Sequence, residues 1–100
     1  MNSKIKQVRF AGYNCNVVRR CYPNGRLALE LIDTEDGMPV ATATVNLPDV
    51  DIKDDEVFIK SYSENEGMMD MLQKEKIIGE TLATANVGFT VATLHKLLYI

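Results

Sequence analysis

Apolar and polar residues alternate with a period of two along most of the first sixty positions, and the rhythm changes near Ser63. Lys4 to Ala11 puts Ile5, Gln7 and Arg9 on one row and Lys6, Val8 and Phe10 on the other, which predicts a first strand. Gly12-Tyr13-Asn14 turns the chain into a second alternating run that ends at Cys21. In Tyr22-Pro23-Asn24-Gly25-Arg26, proline suits position i+1 of a type I turn, asparagine suits i+2, and glycine takes the left-handed position after it. The pattern predicts a three-residue hairpin loop with a bulge. Pairing Tyr22 with Arg26 then sets a register: Cys21 faces Leu27, Arg19 faces Leu29, Val17 faces Leu31, and Arg20 lies diagonal to Glu30.

Leu27 to Asp33 and Val40 to Leu47 read as two further strands, separated by Thr34-Glu35-Asp36-Gly37-Met38-Pro39, where Asp-Gly and Met-Pro stop regular structure. In the second of these, Ala41, Ala43, Val45 and Leu47 form a row of small and apolar side chains over which a helix can pack closely. Pro48 to Asp55 reads as an acidic loop and Glu56 to Lys60 as a fifth strand. Ser63 and Glu66 have the Ser-x-x-Glu spacing of a capping box, which predicts a helix from Ser63 to about Lys76. Its core stripe is Met68, Met71 and Leu72, and Gly79 is the expected stop. The last twenty residues carry two patterns: Thr81, Thr84, Val87, Phe89, Thr90, Val91 and Thr93 favour strand, while Val91, Leu94, His95 and Leu98 also fit a helical stripe. A hairpin turning at Asn86-Val87-Gly88 is the reading adopted. The predicted fold is α+β: one domain spanning 1–100, a mainly antiparallel sheet built of hairpins, with one helix (about 63–76) packed across it.

A chain of 100 residues can bury enough surface to fold without metals or disulfides. No apolar run approaches the roughly 18 residues of a membrane span, and Met1-Asn2-Ser3-Lys4 leads into a mixed stretch, so a cytoplasmic protein with no signal peptide is expected. Cys15 and Cys21 fall on one strand about 20 Å apart, beyond disulfide reach within it, and read as free thiols of a reducing compartment. The net charge of −3 is segregated: residues 1–26 hold six cations and no acid, and residues 27–100 hold fourteen acids and five lysines, +6 against −9. Lys4, Lys6, Arg9, Arg19 and Arg20 are therefore candidates for a nucleic-acid surface. The bland alternative is cross-strand pairing with acids, which the absence of interleaved aromatics and of a basic helix favours.

The candidate chemistry is thin. The predicted helix N-terminus is occupied by Ser63, Glu64 and Glu66, which leaves no welcome for an anion. Asp49, Asp51, Asp54, Asp55 and Glu56 lack the spacing and the internal glycine of a calcium loop and read as a solvated turn. Zinc would need more ligands than Cys15, Cys21 and His95 supply. There is no Gly-x-Ser-x-Gly, P-loop or Gly-x-Gly-x-x-Gly, and His95 has no nucleophile at a recognisable spacing. No catalytic, cofactor or metal residues are assigned, and the chain reads as non-enzymatic. Gly67 in the first helical turn, with no staple partner for Tyr62, is left unexplained by local structure. Lys60, Tyr62, Asn65 and Met69 around it are the candidate contacts for another protein.

Three segments, Tyr22 to Leu29, Ala41 to Pro48 and Phe58 to Gly67, together resemble a family of small uncharacterised proteins encoded on plasmids, phages and conjugative elements of gut bacteria. The resemblance spans most of residues 20 to 80 and implies a mobile-element setting without implying an activity or functional residues. The reading that follows is a small accessory protein that binds another protein. Nucleic-acid binding through the basic strands, and an acidic inhibitor that mimics nucleic acid, are the alternatives.

Overall fold

The computed structural model of the protein describes residues 6–98, which form two four-stranded antiparallel sheets and a single short α-helix. The first sheet contains β1 (Lys6–Phe10), β2 (Tyr13–Cys21), β3 (Leu27–Asp33) and β4 (Pro39–Thr42) in that order. Its central hairpin has the register that the turn chemistry dictates, with Val17, Arg19 and Cys21 opposite Leu31, Leu29 and Leu27. Tyr22 N–H donates to the Arg26 carbonyl at 2.8 Å, Gly25 N–H donates to the Tyr22 carbonyl at 2.8 Å, and Gly25 takes φ +86°. Arg20 meets Glu30 across the strands through its Nε. The first turn differs slightly from expectation. It is made by Ala11 and Gly12, both at positive φ (53° and 85°), so Phe10 pairs with Tyr13 across the left-handed pair that suits a two-residue hairpin.

The second sheet contains β5 (Thr44–Val45), β6 (Glu56–Lys60), β7 (Ala83–Val87) and β8 (Thr90–Lys96), in the order β5-β6-β8-β7. The C-terminal hairpin forms, and the turn is Gly88-Phe89 with Val87 opposite Thr90, slightly later than the Asn86-Val87-Gly88 reading. Val40 to Leu47, expected as one strand, is divided at Ala43 between the two sheets. Ala43 N–H donates to the Leu29 carbonyl at 2.8 Å, and its own carbonyl accepts from Lys60 N–H at 3.0 Å, so one residue hydrogen-bonds to both sheets. It is fully buried, and its small side chain permits the close approach that was expected to receive a helix.

The main core lies between the sheets and beneath the helix. Val17, Leu29 and Leu31 of the first sheet meet Val57 and Ile59 of β6 together with Met68, Leu72, Ile77 and Ile78. Each fully buried aliphatic side chain of this kind contributes about 1.5–3 kcal/mol. Phe58 points to the other side of β6 and joins Ala92 and Leu94 in a second, smaller cluster, partly covered by Val45, Leu47 and Ile52. The uninterrupted run Val57-Phe58-Ile59 thus belongs to a strand buried on both faces.

The helix is shorter than the sequence pattern suggests. Ser63–Asn65 is a 3₁₀ turn, Gly67 stands at φ +84°, and α1 is confined to Met68–Lys74. No side-chain cap bond forms at Ser63, which itself takes φ +55°, so the Ser63/Glu66 capping box does not exist. The physical reason is tertiary. Asn65 turns inward and donates from Nδ2 to the Thr42 carbonyl at 2.7 Å and the Lys60 carbonyl at 3.2 Å, a geometry that a continuous helix from Ser63 would forfeit. Ser61 takes over the capping work, its Oγ accepting from Met69 N–H at 3.0 Å. Gly67 therefore serves a left-handed backbone position rather than close packing. The helix also stops before Gly79. Lys76 occupies the left-handed C-terminal position at φ +60°, with Lys76 N–H on the Gln73 carbonyl at 3.0 Å and Ile77 N–H on that of Leu72 at 2.9 Å, a Schellman motif with lysine where glycine is usual.

Candidate functional site

The four residues expected to contact a partner do not form one open surface. Asn65 is 1% exposed and its amide is committed to two backbone carbonyls, so it holds the junction together rather than presenting a contact. Met69 is half-buried, with Thr81 Oγ1 at 3.6 Å and Thr93 Oγ1 at 3.5 Å from its sulfur. Lys60 and Tyr62 are half-buried at the end of β6 and just beyond it.

The basic residues are also dispersed. Lys4 lies outside the described residues. Lys6 and Arg19 project from the core-side rows of the first sheet, Arg9 and Arg20 from its outer rows. Lys6 lies 3.8 Å from Glu75, Arg9 donates to Asn14 Oδ1 at 3.1 Å, and Arg20 pairs with Glu30. The acids are likewise used locally: Glu56 Oε1 accepts from Lys53 N–H at 2.8 Å, and Asp55 lies 3.7 Å from Lys96 Nζ. Among the described residues no group of three His, Cys, Asp or Glu side chains is placed to hold a metal, and no helix is long and apolar enough to cross a membrane.

Two further features could carry chemistry, and both resolve into structure. His95 is fully buried on β8 between the Gly79 carbonyl, 2.9 Å from Nδ1, and Thr93 Oγ1, 2.7 Å from Nε2. A carbonyl only accepts, which places a ring proton on Nδ1. Gln73 Nε2 donates to the same Gly79 carbonyl at 3.0 Å, so the histidine ties β8 to the helix exit. A cleft of about 380 Å³ opens beside the β2–β3 hairpin tip, lined by Arg19, Cys21, Arg26, Lys53, Asp54 and Glu56 among others. Its three cations and two carboxylates give it no single-sign field, and Arg26 is held by the Leu47 carbonyl at 2.7 Å from Nη1. Both cysteines are free; Cys21 is exposed, and burial first, then the nearby Asp33 carboxylate, pushes the Cys15 thiol above its usual range.

What sets one surface apart is a sheet edge. β1 carries Lys6 and Arg9, β4 begins with Pro39 and has a register shift, and β5 is two residues long, all devices that discourage pairing with another chain. β7, with the sequence Ala83-Thr84-Ala85-Asn86-Val87, has no charge, no proline and no strand pairing with its outer side among the described residues. Exposed apolar side chains stand at both its ends: Leu82 at 50% and Phe89, at the hairpin tip, with its entire side chain in solvent; Val91 at 49% lies opposite Asn86 on β8. The sequence reading missed this edge. Its signal is visible afterwards in the thirteen uncharged residues from Thr81 to Thr93, which include neither acid nor base. A search of protein families finds no match to this chain, and comparisons with curated proteins and with solved structures find none either.

Proposed function

We propose that this chain is a non-enzymatic protein-interaction module that captures an extended segment of another protein on the edge of β7. The observation that supports this reading is the contrast among edges: the other three carry charge, proline or too little length, whereas β7 is uncharged, unpaired on its outer side among the described residues, and flanked by Leu82 and Phe89. Added-strand recognition draws affinity from main-chain hydrogen bonds and specificity from side-chain contacts at alternate positions, and Phe89 is placed to supply such a contact. An accessory role on a mobile genetic element is the setting that the resemblance of residues 20 to 80 supports, and the free thiols Cys15 and Cys21 support a cytoplasmic one. Binding of nucleic acid finds less support, because the basic side chains are divided between opposite faces.

Capture from a lysate of the native host, run in parallel with wild type and the Thr84→Lys/Asn86→Lys variant, tests the reading. A partner retained by wild type and lost by the variant, whose binding slows hydrogen exchange of the β7 amides, is the expected result. Unchanged capture by the variant, or protection of residues 60–69 in place of β7, overturns it.

A further inference from the structure

We infer that the resting occupant of this edge is a second copy of the same chain, joined by antiparallel pairing of the two β7 strands about a two-fold axis. The inference rests on the reading of β7 as an interaction edge and adds the identity of what covers it. The argument comes from register. The two-residue turn is closed by the hydrogen-bonded pair Val87 and Thr90, so alternation along the ladder directs the N–H and C=O groups of Thr84 and Asn86 away from β8. A two-fold axis through Ala85 brings Thr84 opposite Asn86 of the second copy, and Asn86 opposite its Thr84. Both pairs then exchange main-chain hydrogen bonds, while Ala85 meets its own equivalent as a pair without them.

The same rotation places Leu82 opposite Gly88 of the second copy, beside its Phe89. The exposed apolar side chains at opposite ends of β7 are thereby brought to the same end of the paired strands, Leu82 of one copy near the hairpin tip of the other. Strand pairing usually repels its own copy through like charges, and here nothing from Thr81 to Thr93 is charged. Ala85 at the axis is small enough for the strands to close. An interface of this length falls in the small class, below about 1,200 Å², so the dimer is weak and yields to a better-fitting heterologous strand.

Sedimentation equilibrium from low micromolar to millimolar concentration, combined with two register-specific variants, tests this. Thr84→Lys/Asn86→Lys sets lysine opposite lysine twice and is expected to weaken the dimer by about tenfold or more. Thr84→Lys/Asn86→Glu sets lysine opposite glutamate twice and retains it. In a Cys21→Ser background, Ala85→Cys is expected to cross-link to its equivalent under mild oxidation, because pairs without hydrogen bonds bring Cα atoms to about 4.5 Å. Thr84→Cys, with its equivalent about 7–8 Å away on the diagonal, does not. A monomer at every concentration with no Ala85→Cys cross-link overturns the second copy as occupant and leaves the capture of another protein standing. Equal dimerisation of the two charge variants overturns the register and the inference with it.

Discussion

The β2–β3 hairpin and the segment from Ser61 to Gly79 are both rich in local signals, yet only the hairpin obeys them. In the hairpin, the turn residues and the ladder partners they dictate are neighbours in sequence. Proline, asparagine and glycine set the turn, and each further pair follows from it without reference to the rest of the molecule. In the junction, the serine and glutamate of the apparent capping box compete with a buried asparagine whose partners, Thr42 and Lys60, belong to two different sheets. A single cap is worth about 1 kcal/mol, whereas a buried amide and two part-buried carbonyls left without each other cost more. Local chemistry directs the fold where its partners are local, and gives way where a distant buried group needs satisfying.

Replacing Asn65 with alanine is the strongest probe of that difference. It withdraws the donor from both carbonyls and is expected to cost about 2–3 kcal/mol by urea unfolding; a loss comparable with an exposed substitution would mean that the inward turn does not decide the junction. Next come the glycines. Gly67→Ala and Gly25→Ala each put a side chain on a backbone at φ above +80° with open space around it, so both are expected to cost about 1–2 kcal/mol from backbone strain alone. A neutral Gly67→Ala would restore the continuous helix.

The two serines separate the rival caps. Ser61→Ala is expected to lose about 1 kcal/mol, and Ser63→Ala to stay within about 0.5 kcal/mol of wild type; the reverse order would reinstate the capping box. The smallest effect lies in the hairpin sheet. Because burial raises the Cys15 thiol above its unfolded value, the folded chain keeps this proton to higher pH than the unfolded chain does. The associated stability is fully present below the unfolded thiol pKa, about 8.5, and is lost as pH rises from there towards the folded value. A Cys15→Ala variant should lose that alkaline slope, read as the unfolding midpoint from neutral pH to pH about 10.

The two kinds of edge extend the same lesson to function. Lysine, arginine and proline on β1 and β4 are legible as protection once the strands are known, but which strand ends up at an edge is a property of the sheet order. β7 and β8 were readable as a hairpin from their β-branched residues. That β8 would pair with β6, leaving β7 outermost, goes with the cluster that Phe58 of β6 shares with Ala92 and Leu94 of β8, which no short-range pattern encodes. Within the reading centred on residues 60–69, Asn65 turns inward for the same reason, and the glycine that looks like a surface opportunity is explained by its positive φ.

The sequence by itself determined the α+β class, the hairpin at Pro23-Asn24-Gly25 with its register, the β6 strand, the helical stripe of Met68 and Leu72, and the C-terminal hairpin. All of these depend on side-chain period and turn chemistry within a few residues. Only the tertiary structure decided that one predicted strand divides at Ala43 between two sheets, that Asn65 is a buried clasp, and that an uncharged edge faces outward. Those outcomes depend on satisfying backbone groups and burying apolar surface between segments far apart in the chain, a competition that no local window contains.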